Sequence, residues 1–329
     1  MSRVNNLTHF LYITYINKKG GKKDMDLYFA GQGQIASDVF IAPLHVNRLY
    51  SFLDGPRVIN RWIGLTEGQT DSKLFLDSGA FSAHTKGKTV NVDEYIARIN
   101  ELDEHLTLYA QLDTIPGEYK KPKTIQQLKE APELSWQNYL YMKDKVASRD
   151  KLLPIFHQGE NFKHLKRMLE YRHEDGEPIK YIGISPANDV VTKYKDKWFA
   201  QVFGIIKNSS NPNVKTHAFG MTSKLLLEKY PFTSADSTGW LVHARMGTLH
   251  FGKNNIVVSD RKTDDPNFYK NLGPEMIKAF EDKVEERGLD LDLMMTSCHY
   301  RSRWEALELI EWLQNYEYKG STKFQKRLF

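Results

Sequence analysis

The sequence predicts an α/β protein built as a (β/α)8, TIM-like barrel with an insertion and C-terminal helices. Three observations carry this. Short apolar runs of strand length alternate with amphipathic helical stretches from Leu27 to Asp236, the pattern of right-handed βαβ units on a parallel sheet. The alternation is long, and no Gly-x-Gly-x-x-Gly turn follows the first strand, which favours a barrel over an open doubly wound sheet. Several runs also end abruptly in a polar residue. The clearest is Leu74-Phe75-Leu76-Asp77-Ser78-Gly79-Ala80-Phe81-Ser82, whose carboxylate stands where a buried strand leaves the core, the end at which barrels collect their chemistry.

In chain order, Leu27–Ala30 reads as a first strand, followed by a loop with Gly31 and Gly33, and then a helix from Ile41 to Leu53 stopped by Asp54-Gly55-Pro56. Leu74–Leu76 is the second strand. Ile96, Ile99 and Leu102 mark an amphipathic helix over Val92–Leu106. Thr107–Leu112 is a third strand ending at Asp113, and a helical pattern from Ile125 to Val146 follows, with Pro132 expected to break it in two. Leu152–Phe156 is the fourth strand, ending in His157-Gln158-Gly159; Phe162–Tyr171 is a helix; Tyr181–Ile184 is the fifth strand, ending at Ser185. Trp198–Ile206 is helical, and Val214–Phe219 is a sixth strand. Ser223 is placed to N-cap a helix over Lys224–Lys229, and Phe232–Ala235 is a seventh strand ending at Asp236. Beyond it the rhythm changes. Trp240–Leu249 and Asn255–Val258 read as extended strands, with helices near Pro274–Arg287 and Arg303–Asn315 and a basic tail over Lys319–Arg327.

A chain of 329 residues, 40% hydrophobic and 26% charged, has the material for one sizeable core. We expect a single domain over 25–329, with C-terminal additions from about 240, behind a leader over 1–24 that is expected to be disordered. The formal charge of +5 suits a polyanionic partner and is also ordinary for an enzyme. Cys298 is the only cysteine, which rules out an intramolecular disulfide or a multi-cysteine zinc cage and points to a reducing, cytoplasmic setting. No apolar run approaches the roughly 20 residues that span a bilayer, so no membrane partner is expected.

In a barrel the strand ends share one rim, so Asp77, Asp113, Gln158, Ser185 and Asp236 are expected around one pocket. Any one of these aspartates could simply cap the next helix. Together they suit a substrate rich in hydrogen-bonding groups, with one carboxylate attacking an anomeric carbon and another moving a proton.

The order and wording of these ends resemble the tRNA-guanine transglycosylases. Asp77-Ser78-Gly79-Ala80-Phe81-Ser82 is similar to their Asp-Ser-Gly-Gly-Phe-Gln motif, and Phe156-His157-Gln158-Gly159 to their Val-Gln-Gly-Gly segment. Tyr181–Ser185 falls at their glycine-rich base-binding strand. His217-Ala218-Phe219-Gly220-Met221, a helix and Thr233-Ser234-Ala235-Asp236-Ser237 resemble the progression that delivers their nucleophile. The resemblance runs from Leu74 to Leu241. It implies that Asp236 attacks C1′ and holds a covalent nucleic-acid intermediate, while Asp77 is the general acid/base. It further implies that Asp113 accepts from the Watson–Crick edge, and that Gln158 and a backbone N–H near Gly183 or Ser185 donate to O6. Phe81 and Phe219 sandwich the purine, and Ser78 and Gly159 fall within the substrate-binding motifs.

The departures are informative. The tRNA enzymes hold a structural zinc with three cysteines and a histidine, whereas here Cys298 and His299 stand with only the distant His243 and His250, so no metal or other cofactor is expected. A zinc-free chain is more similar to the bacteriophage branch, the DpdA type, that places 7-deazaguanine derivatives in DNA. The implied partners are double-stranded DNA with a flipped guanine and a free 7-deazaguanine, in the cytoplasm of an infected host. Arg245, Lys253, Arg261, Lys262, Arg301 and Arg303, with the tail residues Lys323, Lys326 and Arg327, are the candidate contacts to nucleic acid, and Ser185 and Asn188 the candidates for reading the 7-substituent. The same exchange on tRNA, simple hydrolysis and a non-catalytic binding subunit are the competing readings.

Overall fold

The computed structural model describes residues 25–31, 35–187, 190–221 and 223–320. The leader, Gly33, Asn188 and the tail cations Lys323, Lys326 and Arg327 lie outside the described residues. Strands β1 (Asp26–Phe29), β2 (Asn47–Ser51), β3 (Leu74–Asp77), β4 (Leu106–Ala110), β5 (Leu152–Leu153), β6 (Ile155–His157), β7 (Tyr181–Ser185), β8 (Lys215–Ala218) and β9 (Ser234–Ser237) form one parallel sheet. Its order, β5-β4-β3-β2-β1-β9-β8-β7-β6, returns on itself because β5 and β6 are separated only by Pro154. Proline has no N–H for the ladder, which divides this strand in two. Its carbonyl still accepts from the Gly183 N–H at 2.8 Å, and Leu153 accepts from the Gln111 N–H at 3.0 Å, so the two halves are tied to opposite neighbours. Counted as one stave, they make the eight-stave, TIM-like barrel that the alternation predicts.

The helices are α1 (Ile35–Ile41), α2 (Pro56–Leu65), α3 (Ala80–Thr85), α4 (Val92–Leu102), α5 (Ile125–Lys143), α6 (Phe162–Glu170), α7 (Thr192–Lys207), α8 (Lys224–Lys229) and α9 (Gly239–Met246). A hairpin, β10 (Thr248–Phe251) and β11 (Asn254–Val257), leads to α10 (Pro274–Glu286), α11 (Leu291–Thr296) and α12 (Cys298–Gln314). The additions therefore begin directly after β9. They have a core of their own around Leu249, Ile256, Phe280 and Trp304, while α12 lies against α9 and α1.

Four expectations are corrected. Ile41–Leu53 is not a helix: it contains β2, the stave missing from the sequence count, and Pro56 opens α2 instead of ending a helix. Arg48 concealed this strand. It is fully buried on the outer face of β2, paired with Asp38 at 2.9 Å and lying 4.3 Å over the Tyr50 ring, so a cation occupies a core position. Pro132 does not break α5; it sits buried in the second turn, where the helix gives up one hydrogen bond and continues. Trp240–Leu249 is mostly helical: Trp240, Leu241 and Ala244 face inward from α9, and Gly247 ends the helix in the left-handed region at φ 72°. Ser223 stands at the N-cap position of α8, but its side chain makes no capping bond.

Alternation along the strands separates two cores. Tyr28, Leu49, Phe75, Leu108, Leu153, Ile155 and Tyr181 point inward and fill the barrel. Leu27, Phe29, Leu74, Leu76, Ile182 and Ile184 point outward beneath the helices.

Candidate active site

The same period of two sets the top layer of the barrel. Two residues beyond the inward Leu49, Phe75, Ile155, Gly183 and Ser234 come Ser51, Asp77, His157, Ser185 and Asp236, and all five line one cavity of about 400 Å³. Asp113, beyond β4, joins them, with Ser78, Phe81 and Phe219 in the wall. A larger hollow of about 720 Å³ at the N-terminal end of the barrel, around Asp26, Lys73 and Tyr181, contains none of these strand ends.

Asp77 is held by the turn that follows β3. Its Oδ2 accepts from the Gly79 N–H at 3.0 Å, and Gly79 has φ +74°, where a Cβ would stand 2.4 Å from Ser51 Oγ. Only glycine makes this turn cheaply. Burial raises the Asp77 carboxyl to about 7 against the Gly79 hydrogen bond, with the charges of Asp113 and Asp236 adding to the rise. A carboxyl poised there can take or give a proton at neutral pH.

Asp113 belongs to a polar array. His157 Nε2 lies 3.2 Å from its Oδ2, His157 Nδ1 lies 3.0 Å from Glu160 Oε1, and the Gln111 amide donates to Asp113 Oδ1 at 2.8 Å. Burial alone would lower the His157 pKa, but the two flanking carboxylates outweigh it and hold the imidazole well above its ordinary value. His157 is therefore a cation in the cavity wall. Gln158 is not in that wall: one residue further along, its Oε1 accepts from the Ala187 N–H at 3.1 Å and braces the loop after β7. The alternation Leu153, Ile155, His157 is the sequence signal that names the inward residue. Gly159 is exposed outside the cavity with φ +104°.

Asp236 is 5% exposed. Its Oδ1 accepts from the Gly220 N–H at 2.9 Å and lies 3.2 Å from His217 Nε2, which leaves Oδ2 without a protein donor among the described residues. Below it, His217 Nδ1 meets Ser234 Oγ at 2.6 Å, and Ser234 meets the Tyr181 hydroxyl at 2.7 Å. This chain of polar groups runs through the barrel interior, and the sequence reading missed His217's part in it.

Phe219 rests edge-on against His217 and Phe75 at centroid separations of 4.5 and 5.8 Å. A Cβ on Gly183 would lie 2.5 Å from Phe219 Cε2. Gly183 therefore contributes space for that ring. Its N–H is already committed to Pro154, which corrects its expected role as a donor. Phe81 is 56% exposed on α3 at the cavity wall, so it is not a core residue.

Among the expected nucleic-acid contacts, Arg245, Lys253, Arg261 and Lys262 are exposed. Arg301 is not available: it is buried, with Nε donating to Ala244 O at 2.8 Å and Nη1 to Met294 O at 2.6 Å. A guanidinium that closes the carbonyl ends of α9 and α11 has no face for phosphate. Arg303 is half-buried. The His243 and His250 rings lie 4.1 Å apart, tilted by 55°, His250 pairs with Glu305 at 2.7 Å, and His299 contacts Ser37 at 3.1 Å. Among the described residues, no three such groups are placed to share a metal ion, and no helix is long and apolar enough to cross a membrane.

No family model and no curated protein matches the chain.

Proposed function

We propose that this chain is a pentosyltransferase that exchanges guanine in DNA for a free 7-deazaguanine derivative through a covalent Asp236 intermediate. The observation that carries the reading is the gathering of Asp77, Asp113 and Asp236 with Phe81 and Phe219 around a single cavity of about 400 Å³, a volume suited to a small-molecule site. The ordered resemblance of Leu74–Leu241 to tRNA-guanine transglycosylases supports it.

In this mechanism the target nucleotide unstacks from its neighbours and turns into the cavity, which costs up to a few kcal/mol. Its base enters beside Phe219, with Asp113 accepting from the Watson–Crick edge. His157, held between Asp113 and Glu160, spends both of its ring nitrogens on those carboxylates and so fixes the Asp113 carboxylate for that contact. Asp236 Oδ2 attacks C1′, the C1′–N9 bond breaks with its electron pair going to guanine, and Asp77 supplies the proton that neutralises the leaving base. The ionised Asp77 then takes the N9 proton from the incoming 7-deazaguanine, whose nitrogen attacks C1′ and releases the Asp236 carboxylate. A carboxyl with a pKa of about 7 suits both directions of transfer.

The test is base exchange. Purified protein is incubated with DNA or tRNA and each candidate 7-deazaguanine, the nucleic acid is digested to nucleosides, and the products are identified by mass spectrometry. The expected result is a modified deoxynucleoside that vanishes in Asp236→Ala. A modified ribonucleoside alone would assign the chemistry to tRNA. Guanine release without incorporation would assign hydrolysis, and binding with neither product would mark a non-catalytic subunit.

A further inference from the structure

We infer that an arc of lysines and exposed aromatic rings at the cavity mouth binds the unpaired nucleic-acid strand on either side of the reacting nucleotide. The basic residues beyond β9 are not that surface. The arc is formed by the segments that follow β3, β4 and β7. β3 and β4 are neighbours, and β7 is separated from β4 only by the divided β5/β6 stave, so the three segments lie on one half of the rim with the turn after β6 between the last two.

Their charge is one-sided. Stretches 80–91, 114–124 and 186–197 contain eight lysines against Glu118, Asp189 and Asp196, a surplus of five that equals the formal charge of the whole chain, +5. Two of the carboxylates are already engaged, Glu118 by Lys121 at 2.5 Å and Asp196 by Lys229 at 2.6 Å. Lys86, Lys88, Lys120, Lys123, Lys193 and Lys197 are exposed, and none makes an ion pair among the described residues. One large aromatic side chain is exposed on each segment: Phe81 at 56%, Tyr119 at 46% and Tyr194 at 59%. Lys120 Nζ lies 5.4 Å from the Tyr119 centroid, and Lys197 Nζ lies 5.9 Å from that of Tyr194.

Exposed rings among unpaired cations contribute little to folding and match what a single strand offers, phosphates at intervals and bare base faces between them. An intact duplex offers the phosphates but no free face to stack. Arg245, Lys253, Arg261 and Lys262 follow β9, which stands opposite β4 in the eight-stave ring.

The inference takes the identity of the strand from the proposed function, but its test needs no base exchange. Anisotropy titrations of the full chain with a labelled 20-nucleotide single strand, and with the matching blunt duplex, are run over a salt series. Lys120→Ala with Lys123→Ala, and Lys193→Ala with Lys197→Ala, should each lower the slope of log K against log salt by roughly 1.4, about 0.7 for each single-strand phosphate that the protein no longer neutralises. Tyr194→Ala should weaken single-strand binding about tenfold. A triple variant of Lys253, Arg261 and Lys262 to alanine should bind as the parent does. Unchanged slopes in both lysine variants, a loss confined to the triple variant, or tighter binding to intact duplex than to single strand would each overturn the inference. Rim-dependent binding in a protein inert with every base would retain this surface and reject the transglycosylase reading. Normal exchange with rim variants that bind as the parent does would reject the surface alone.

Discussion

His217 Nε2 stands 3.2 Å from Asp236 Oδ1, and this contact aims the proposed nucleophile. The imidazole is wholly buried, and its other nitrogen is taken by Ser234 at 2.6 Å, so the ring has no alternative orientation that satisfies both. His217→Phe should keep Phe219 packed but leave Asp236 Oδ1 with the Gly220 N–H alone. Misplacement of about 1 Å costs on the order of 10²-fold, so kcat for exchange should fall by roughly that factor, with KM for the free base little changed. Steady-state kinetics over a pH series checks this, and an unchanged kcat would reduce His217 to packing.

The raised pKa of Asp77 makes a sign-specific statement about stability. Its carboxyl titrates near 7 in the folded chain and near 3.9 when unfolded. Below both values it has no effect. As pH rises through that window, the unfolded chain ionises first and the folded state loses about 1.4 kcal/mol per pH unit, until the penalty is complete above pH 7. Asp77→Asn should therefore raise Tm relative to the parent at pH 8 and leave it matched at pH 3. A difference of equal size at both would dissociate the effect from this titration. Exchange should be lost at both pH values.

Gly183→Ala tests the space under Phe219. The added methyl would sit 2.5 Å from Phe219 Cε2 and 3.0 Å from Ile155 Cγ1, with the β-strand backbone unable to retreat. Overpacking of this kind costs about 1–3 kcal/mol. The ring should be driven toward the cavity, raising KM for the incoming base. Thermal melting and base titration measure the two effects, and a stable variant with the parental KM would remove Phe219 from the base site.

The Arg48–Asp38 pair should dominate the stability of the β2 stave. Asp38 Oδ1 accepts from Arg48 Nη2 at 2.9 Å, and Asp38 Oδ2 from the Tyr50 hydroxyl at 2.8 Å, all inside the core. Arg48→Met strands a buried carboxylate and should cost about 3–5 kcal/mol in urea unfolding, while Arg48→Met with Asp38→Leu should recover much of that loss. Equal losses in the single and double variants would mean that the residues act independently.

The alternation of strands and helices, and the polar residues that end the strands, are local properties. Period-two patterning, strand length and glycine turns lie within a few residues of one another, so the barrel and the rim positions of Asp77, Asp113 and Asp236 were legible before any coordinate. What was not legible depends on partners far along the chain. Arg48 looks like a surface residue until Asp38, Tyr50 and Trp240 close around it. Arg301 looks like a phosphate contact until its guanidinium meets the carbonyl of Ala244, 57 residues away. His217 becomes part of the site through Ser234 and Asp236 on the next stave, and Tyr181 completes the chain 53 residues from Ser234. The sequence by itself placed Asp77, Asp113, Ser185 and Asp236 at the mouth of the barrel. Tertiary structure alone decided which polar groups are consumed by burial and which remain for a substrate, because a buried hydrogen bond needs a partner that closure of the barrel, not neighbouring residues, brings into reach.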